Sequence, residues 1–267
     1  MYFNEIGRRI PGDGMRLFGK TPSNYYRLTQ PKLDYQQILV RCKQYNVSPA
    51  SLTAADFKSR AEALLDKLNA SPAYANLLKG VHIPFVFQRV GSEVDLGSNL
   101  ENTLLSNLQG SFTARYPEAH FKAVLQSNSE LPGHITLDKA SRYQRFIDAS
   151  QSAAVVGWYF PQALQEYDVR SQREQMTSLP ELDGVNVCLS GGMDICAALI
   201  GSPDLLISDE HYTPIVCLSA YVHADPRLVL LLKAYGPHME FWCMTNMLTK
   251  DTTQVSEQWA GGITVFG

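Results

Sequence analysis

Val185-Asn186-Val187-Cys188-Leu189 is a near-continuous apolar run. Ser190-Gly191-Gly192-Met193-Asp194 interrupts it, and Ile195-Cys196-Ala197-Ala198-Leu199-Ile200 follows without a single charge. A short apolar run ending in a glycine pair reads as a buried strand, and the small apolar residues after it read as a buried helix. Strand, tight turn and helix in succession are the unit from which helix-covered sheets are built. The predicted fold class is therefore α/β or α+β.

Moving outward from this unit, strands are predicted at 134–137, 153–160, 205–208 and 215–222, near Phe241 and at 263–266. Helices are predicted at 139–150, 162–172 and 227–235. This alternation predicts a mixed sheet with parallel pairs, formed mainly by the C-terminal half. Before Gly133 the pattern is mostly helical. Ile38, Leu39, Cys42 and Tyr45 recur at helical spacing. Thr53 and Asp56 have the spacing of a helix start, followed by the stripe Phe57, Ala61, Leu64, Leu65 and Leu68. Residues 81–90 suit a strand, and Pro84 inside it makes that strand either an edge strand or a bulged one. Residues 100–108 and 118–126 read as helices. The expected organisation is an N-terminal arm at 1–32, a mostly helical region at 33–132 packed on the body, and an α/β region at 133–267, all in one compact unit.

Composition narrows the function classes. The net charge of -3, with no local run of Lys and Arg, supplies no attraction for a phosphate backbone, so no nucleic acid is expected as partner. Arg8-Arg9, Arg16, Lys20 and Arg27 are broken up by Gly and Pro and read as a solvated arm. No apolar stretch reaches the roughly 18 residues of a membrane span, and the N-terminus lacks the pattern of a cleaved signal. A cytoplasmic location is expected, with translocation into another cell without a cleaved signal left open. The five cysteines are odd in number, widely spaced and set in apolar strings, which predicts reduced, buried thiols. The six histidines form no close pair on one helix face. A metal site would have to be assembled from distant residues such as Asp209, His211 and His223, and none is predicted.

Two chemistries can be read into Ser190-Gly191-Gly192-Met193-Asp194. The exposed amides of a glycine turn at a helix start can cradle an anion. The string also resembles the phosphate-binding loop of the ATP pyrophosphatase family. Ser190, Gly191, Gly192 and Asp194 match that loop, whereas Ile195 stands where the family places a hydroxyl; the resemblance spans about fifteen residues. It implies a nucleotide-binding enzyme; by charge alone, Asp194 would repel the bound anion unless it held a divalent cation such as Mg²⁺. In the other reading Ser190 is a nucleophile on a strand-to-helix elbow, with Asp225 and His238 completing the serine, acid, histidine order of α/β-hydrolases. The leading expectation is a binding or interaction protein without a catalytic signature. In that case the glycine pair is only a connection, no cofactor is named, and Tyr25-Tyr26 on the irregular arm is the candidate surface for a protein partner.

Overall fold

The computed structural model describes residues 1–12, 25–91, 94–125, 129–236, 238–245 and 257–267. Helix α1 (Tyr35–Gln44) begins where the Asp34 carboxylate accepts from the Gln37 amide. Helix α2 (Ala54–Ala70) begins where the Thr53 hydroxyl accepts from the Asp56 amide. Both satisfy amides that the first helical turn leaves free. After strand β1 (Ile83–Phe87) come α3 (Leu96–Asn99), a π-helical turn at Leu100–Leu104 and α4 (Leu105–Arg115). The remainder runs β2 (Phe121–Leu125), β3 (Ile135–Leu137), α5 (Gln144–Ser152), β4 (Val155–Phe160), α6 (Val169–Thr177), β5 (Asn186–Leu189) and α7 (Gly192–Gly201). It continues through β6 (Ile215–Cys217), β7 (Tyr221–His223), β8 (Leu228–Tyr235), β9 (His238–Thr245), β10 (Trp259–Gly261) and β11 (Ile263–Phe266).

The fold is mixed α/β. A four-stranded sheet has the order β1-β4-β11-β5 and a five-stranded sheet the order β10-β6-β8-β9-β2; β3 and β7 form a separate ribbon. The first sheet is antiparallel throughout, with β1 and its Pro84 at an edge. Among the described strands, parallel pairing joins β10 with β6 and β2 with β9. The sheets draw mainly on the C-terminal half, and a largely helical region precedes them. One buried cluster extends from Phe3 to Phe266, taking side chains from the arm, the helical region and both large sheets. Helix α7 is buried along its whole length, packed against β1, β4, α1 and α4. Among the described residues no helix is long and apolar enough to cross a membrane. All five cysteines are free and buried.

Several local expectations are corrected. Residues 228–235, read as a helix, are strand β8, and 121–125, read within a helix, are strand β2. The helix expected at 162–172 begins only at Val169, where Asp168 caps it by accepting from the Ser171 amide. Residues 164 and 166 instead bond to β10: the Leu164 amide donates to Gly261 O, and the Glu166 amide donates to Trp259 O. The arm also differs from a solvated one. Arg8 and Arg9 are buried, and Arg8 Nη1 lies 2.9 Å from Glu166 Oε1. Arg9 donates to the carbonyls of Tyr2 and Ile10 and to the Ser178 hydroxyl. Arg16 and Lys20 lie outside the described residues.

A buried ion pair costs most when one partner is removed and the other charge stays behind. Glu166→Ala is expected to lower stability by about 3–5 kcal/mol. Pairing it with Arg8→Met should recover most of that loss. Urea unfolding of the two variants against wild type measures both effects.

Candidate functional site

Strand β5 and helix α7 confirm the strand, turn and helix around Ser190, and the turn faces inward. Ser190, Gly191, Gly192 and Asp194 are all buried. The Ser190 amide donates to Gly262 O, and its carbonyl accepts from the Ala220 amide. A side-chain carbon at Gly191 would lie 2.8 Å from the rings of Tyr143 and Tyr221. One at Gly192 would lie 2.7 Å from Tyr221 and 3.2 Å from Leu100. The turn is packed against the protein's own side chains. Both glycines are required by close packing.

Asp194 is the centre of this region. Its Oδ1 accepts from the Gly191 amide at 2.9 Å and from the Tyr143 hydroxyl at 2.7 Å, and its Oδ2 accepts from the Thr264 hydroxyl. With Asp194 ionised, the Thr264 proton goes to its carboxylate, so Ser190 donates in the 2.7 Å contact between Ser190 Oγ and Thr264 Oγ1. The serine proton is thus engaged in a hydroxyl relay ending on a carboxylate. Burial pushes the Asp194 carboxyl up to about 6, against the opposing effect of its hydrogen bonds from Thr264, Tyr143 and Gly191. The same burial, reinforced by the Asp194 charge, pushes the Tyr143 phenol well up.

The other members of the predicted triad have partners of their own. Asp225 binds the Arg227 guanidinium, with Nη2 at 2.6 Å from Oδ2, and its amide donates to His223 Nδ1. His238 Nδ1 accepts from the His120 amide, and its ring stacks on that of His120 at 4.9 Å. Ser190, Asp225 and His238 are not brought into one relay. His223 is buried, pairs with Glu130 O and stacks on His134, whereas His211 pairs with Ser208. Among the described residues no group of three or more His, Cys, Asp or Glu could hold a metal ion.

An open cleft of about 600 Å³ lies elsewhere, between the loop at 206–213 and the end of β8. Tyr26, His211, Tyr212, Lys233 and Tyr235 are among the residues lining it, together with Asp209 and Glu210. An isolated parallel bridge joins Tyr26 to Tyr212, and the Arg27 amide donates to Tyr212 O. Tyr25 stacks on Tyr212 at 5.2 Å and meets Tyr26 edge-on at 5.1 Å. Tyr25, Tyr212 and Tyr235 keep 55%, 62% and 59% of their surface exposed, which leaves an aromatic rim facing solvent. Lys233 donates to the Tyr235 hydroxyl at 3.0 Å and lies 4.3 Å over its ring and 4.1 Å over that of Trp242. Sequence reading singled out Tyr25 and Tyr26. It missed Tyr212 and Tyr235, which stand alone in the chain and reach the rim only through the bridge and the β8 strand.

Comparison of the chain with protein-family models, with curated proteins and with solved structures finds no match.

Asp194 makes stability depend on pH with a definite sign. Its carboxyl is raised in the folded protein, so between about pH 4 and 6 the native state holds a proton that the unfolded chain has lost. Stability therefore falls as pH rises through that window. A rise of about two units corresponds to roughly 3 kcal/mol. Asp194→Asn removes this slope, so its stability cost should be larger at pH 4.5 than at pH 7.5. Denaturant unfolding of both proteins at the two pH values measures the difference.

Proposed function

We propose that this is a binding protein that engages a partner protein through the cleft rimmed by Tyr25, Tyr212 and Tyr235. The observation that carries this reading is two tyrosine rings, Tyr212 and Tyr235, each more than half exposed on the lining of one open cleft, with the similarly exposed Tyr25 stacked on Tyr212. Tyrosine is enriched where proteins meet, because its ring offers apolar area while its hydroxyl remains wet. A nucleotide-binding enzyme and a serine hydrolase both need the Ser190 to Asp194 turn to face a ligand. That turn is buried among Tyr143, Tyr221, Leu100 and Thr264, and no observation favours either reading over a binding surface.

A photo-reactive amino acid placed at 212 or at 25 is expected to give a discrete adduct of the same size from each position. The same residue at 40, an exposed position on α1, should give none. Tyr25→Ala should reduce the adduct formed from position 212 at least fivefold without shifting the unfolding midpoint. Equal labelling from all three positions, or none from 25 and 212, would overturn the reading.

A further inference from the structure

The charges around the cleft say what kind of group it takes. Asp209 and Glu210 bring exposed carboxylates to its lining, and Glu257 lies close enough to Tyr26 for its charge to act on the phenol. Among the described lining residues Lys233 is the one Lys or Arg. Its charge is already answered inside the protein: Nζ lies 3.6 Å from the Glu240 carboxylate and rests over two aromatic rings. Among the described lining residues the charge left for a visitor is negative. An anion would meet phenols among carboxylates, and a purely apolar group would strip water from Asp209 and Glu210 without replacing it.

A cation meets none of these costs. The faces of tyrosine rings carry the negative part of the ring quadrupole and attract ammonium and guanidinium groups, and nearby carboxylates add to that attraction. The protein provides its own example in Lys233, whose ammonium is held between Tyr235 and Trp242 beside Glu240. Tyr25 and Tyr212, stacked on each other and more than half exposed, offer further ring surface on the same rim. Burial pushes the Tyr26 phenol up, and the charges of Tyr25, Glu257, Tyr212 and Tyr235 push it further, as expected where several oxygens converge.

We propose that the cleft seats the cationic side chain of a lysine or arginine carried by a basic segment of a partner protein. The proposal rests on the binding-protein reading and specifies the chemistry of the group bound. An acidic rim and a basic segment should also find each other faster at low salt.

The test is a titration of acetylated tetra-arginine, tetra-glutamate and tetra-alanine peptides into the full chain, followed by the ring NMR signals of its tyrosines. Tetra-arginine is expected to shift Tyr26, Tyr212 and Tyr235, with binding that weakens as salt rises. Tyr212→Ala, and separately Asp209→Asn with Glu210→Gln, should each weaken it at least tenfold. Glu62→Gln, which removes an exposed carboxylate on α2, should leave it within twofold. The proposal is overturned if tetra-arginine leaves the cleft tyrosines unmoved, or if the cleft and Glu62 variants bind it equally. A cleft that responds to tetra-glutamate or tetra-alanine instead would end the cationic assignment while leaving the binding-protein reading in place. Failure of the crosslinking from positions 25 and 212 would remove both.

Discussion

A helix buried along its whole length must satisfy its free N-terminal amides without water, and this constraint organises the structure around α7. Its first turn holds one side chain able to do so, Asp194, which turns back to accept from the Gly191 amide. A carboxylate near the positive end of the helix dipole is well placed, but one removed from solvent needs more partners. Tyr143 at the start of α5 and Thr264 on β11 supply them. The same few atoms thus tie α7 to a neighbouring helix and to an interior strand of the four-stranded sheet. The rise of the Asp194 carboxyl to about 6 shows that desolvation still outweighs this support.

A phosphate loop and a buried helix start place the same demands on sequence, which is why the Ser190 to Asp194 string can be read both ways. Each needs glycines that let something approach the backbone and a short polar residue near the first turn. What differs is the approaching group. Here it is the rings of Tyr143 and Tyr221, contributed from about fifty residues before and thirty after the turn, and nothing in the local string announces them.

The legible parts of the fold were those whose cause is local. The Thr53 cap, the stripe on α2, the edge position of Pro84 and the strand-turn-helix at Ser190 each depend on residues within a few positions of one another. Strand β8 failed that condition. Leu228-Val229-Leu230-Leu231-Leu232 is buried on both faces, because the main core lies on one side and a smaller cluster with Val169 and Cys217 on the other. A run apolar at every position carries no period to distinguish strand from helix. Strand β2 is set by parallel pairing with β9, more than a hundred residues later. The aromatic rim divides in the same way: Tyr25 and Tyr26 are adjacent in the chain, whereas Tyr212 and Tyr235 join them only through tertiary pairing. Arg8 and Arg9 were misread because a sequence shows charge but not the buried partners that receive it, Glu166 for Arg8 and backbone carbonyls with Ser178 for Arg9, whereas Arg27 is exposed as expected.

Strand β11 lies between β4 and β5, yet it is synthesised after every other strand described. Until Ile263–Phe266 leaves the ribosome, β4 and β5 have no common neighbour, and Asp194 lacks the hydroxyl of Thr264. Without this strand the sheet on which α7 rests stays open between β4 and β5. A chain cut short of Ile263 lacks the strand that joins β4 to β5 and carries an open, apolar sheet edge of the kind that chaperones hold and proteases remove.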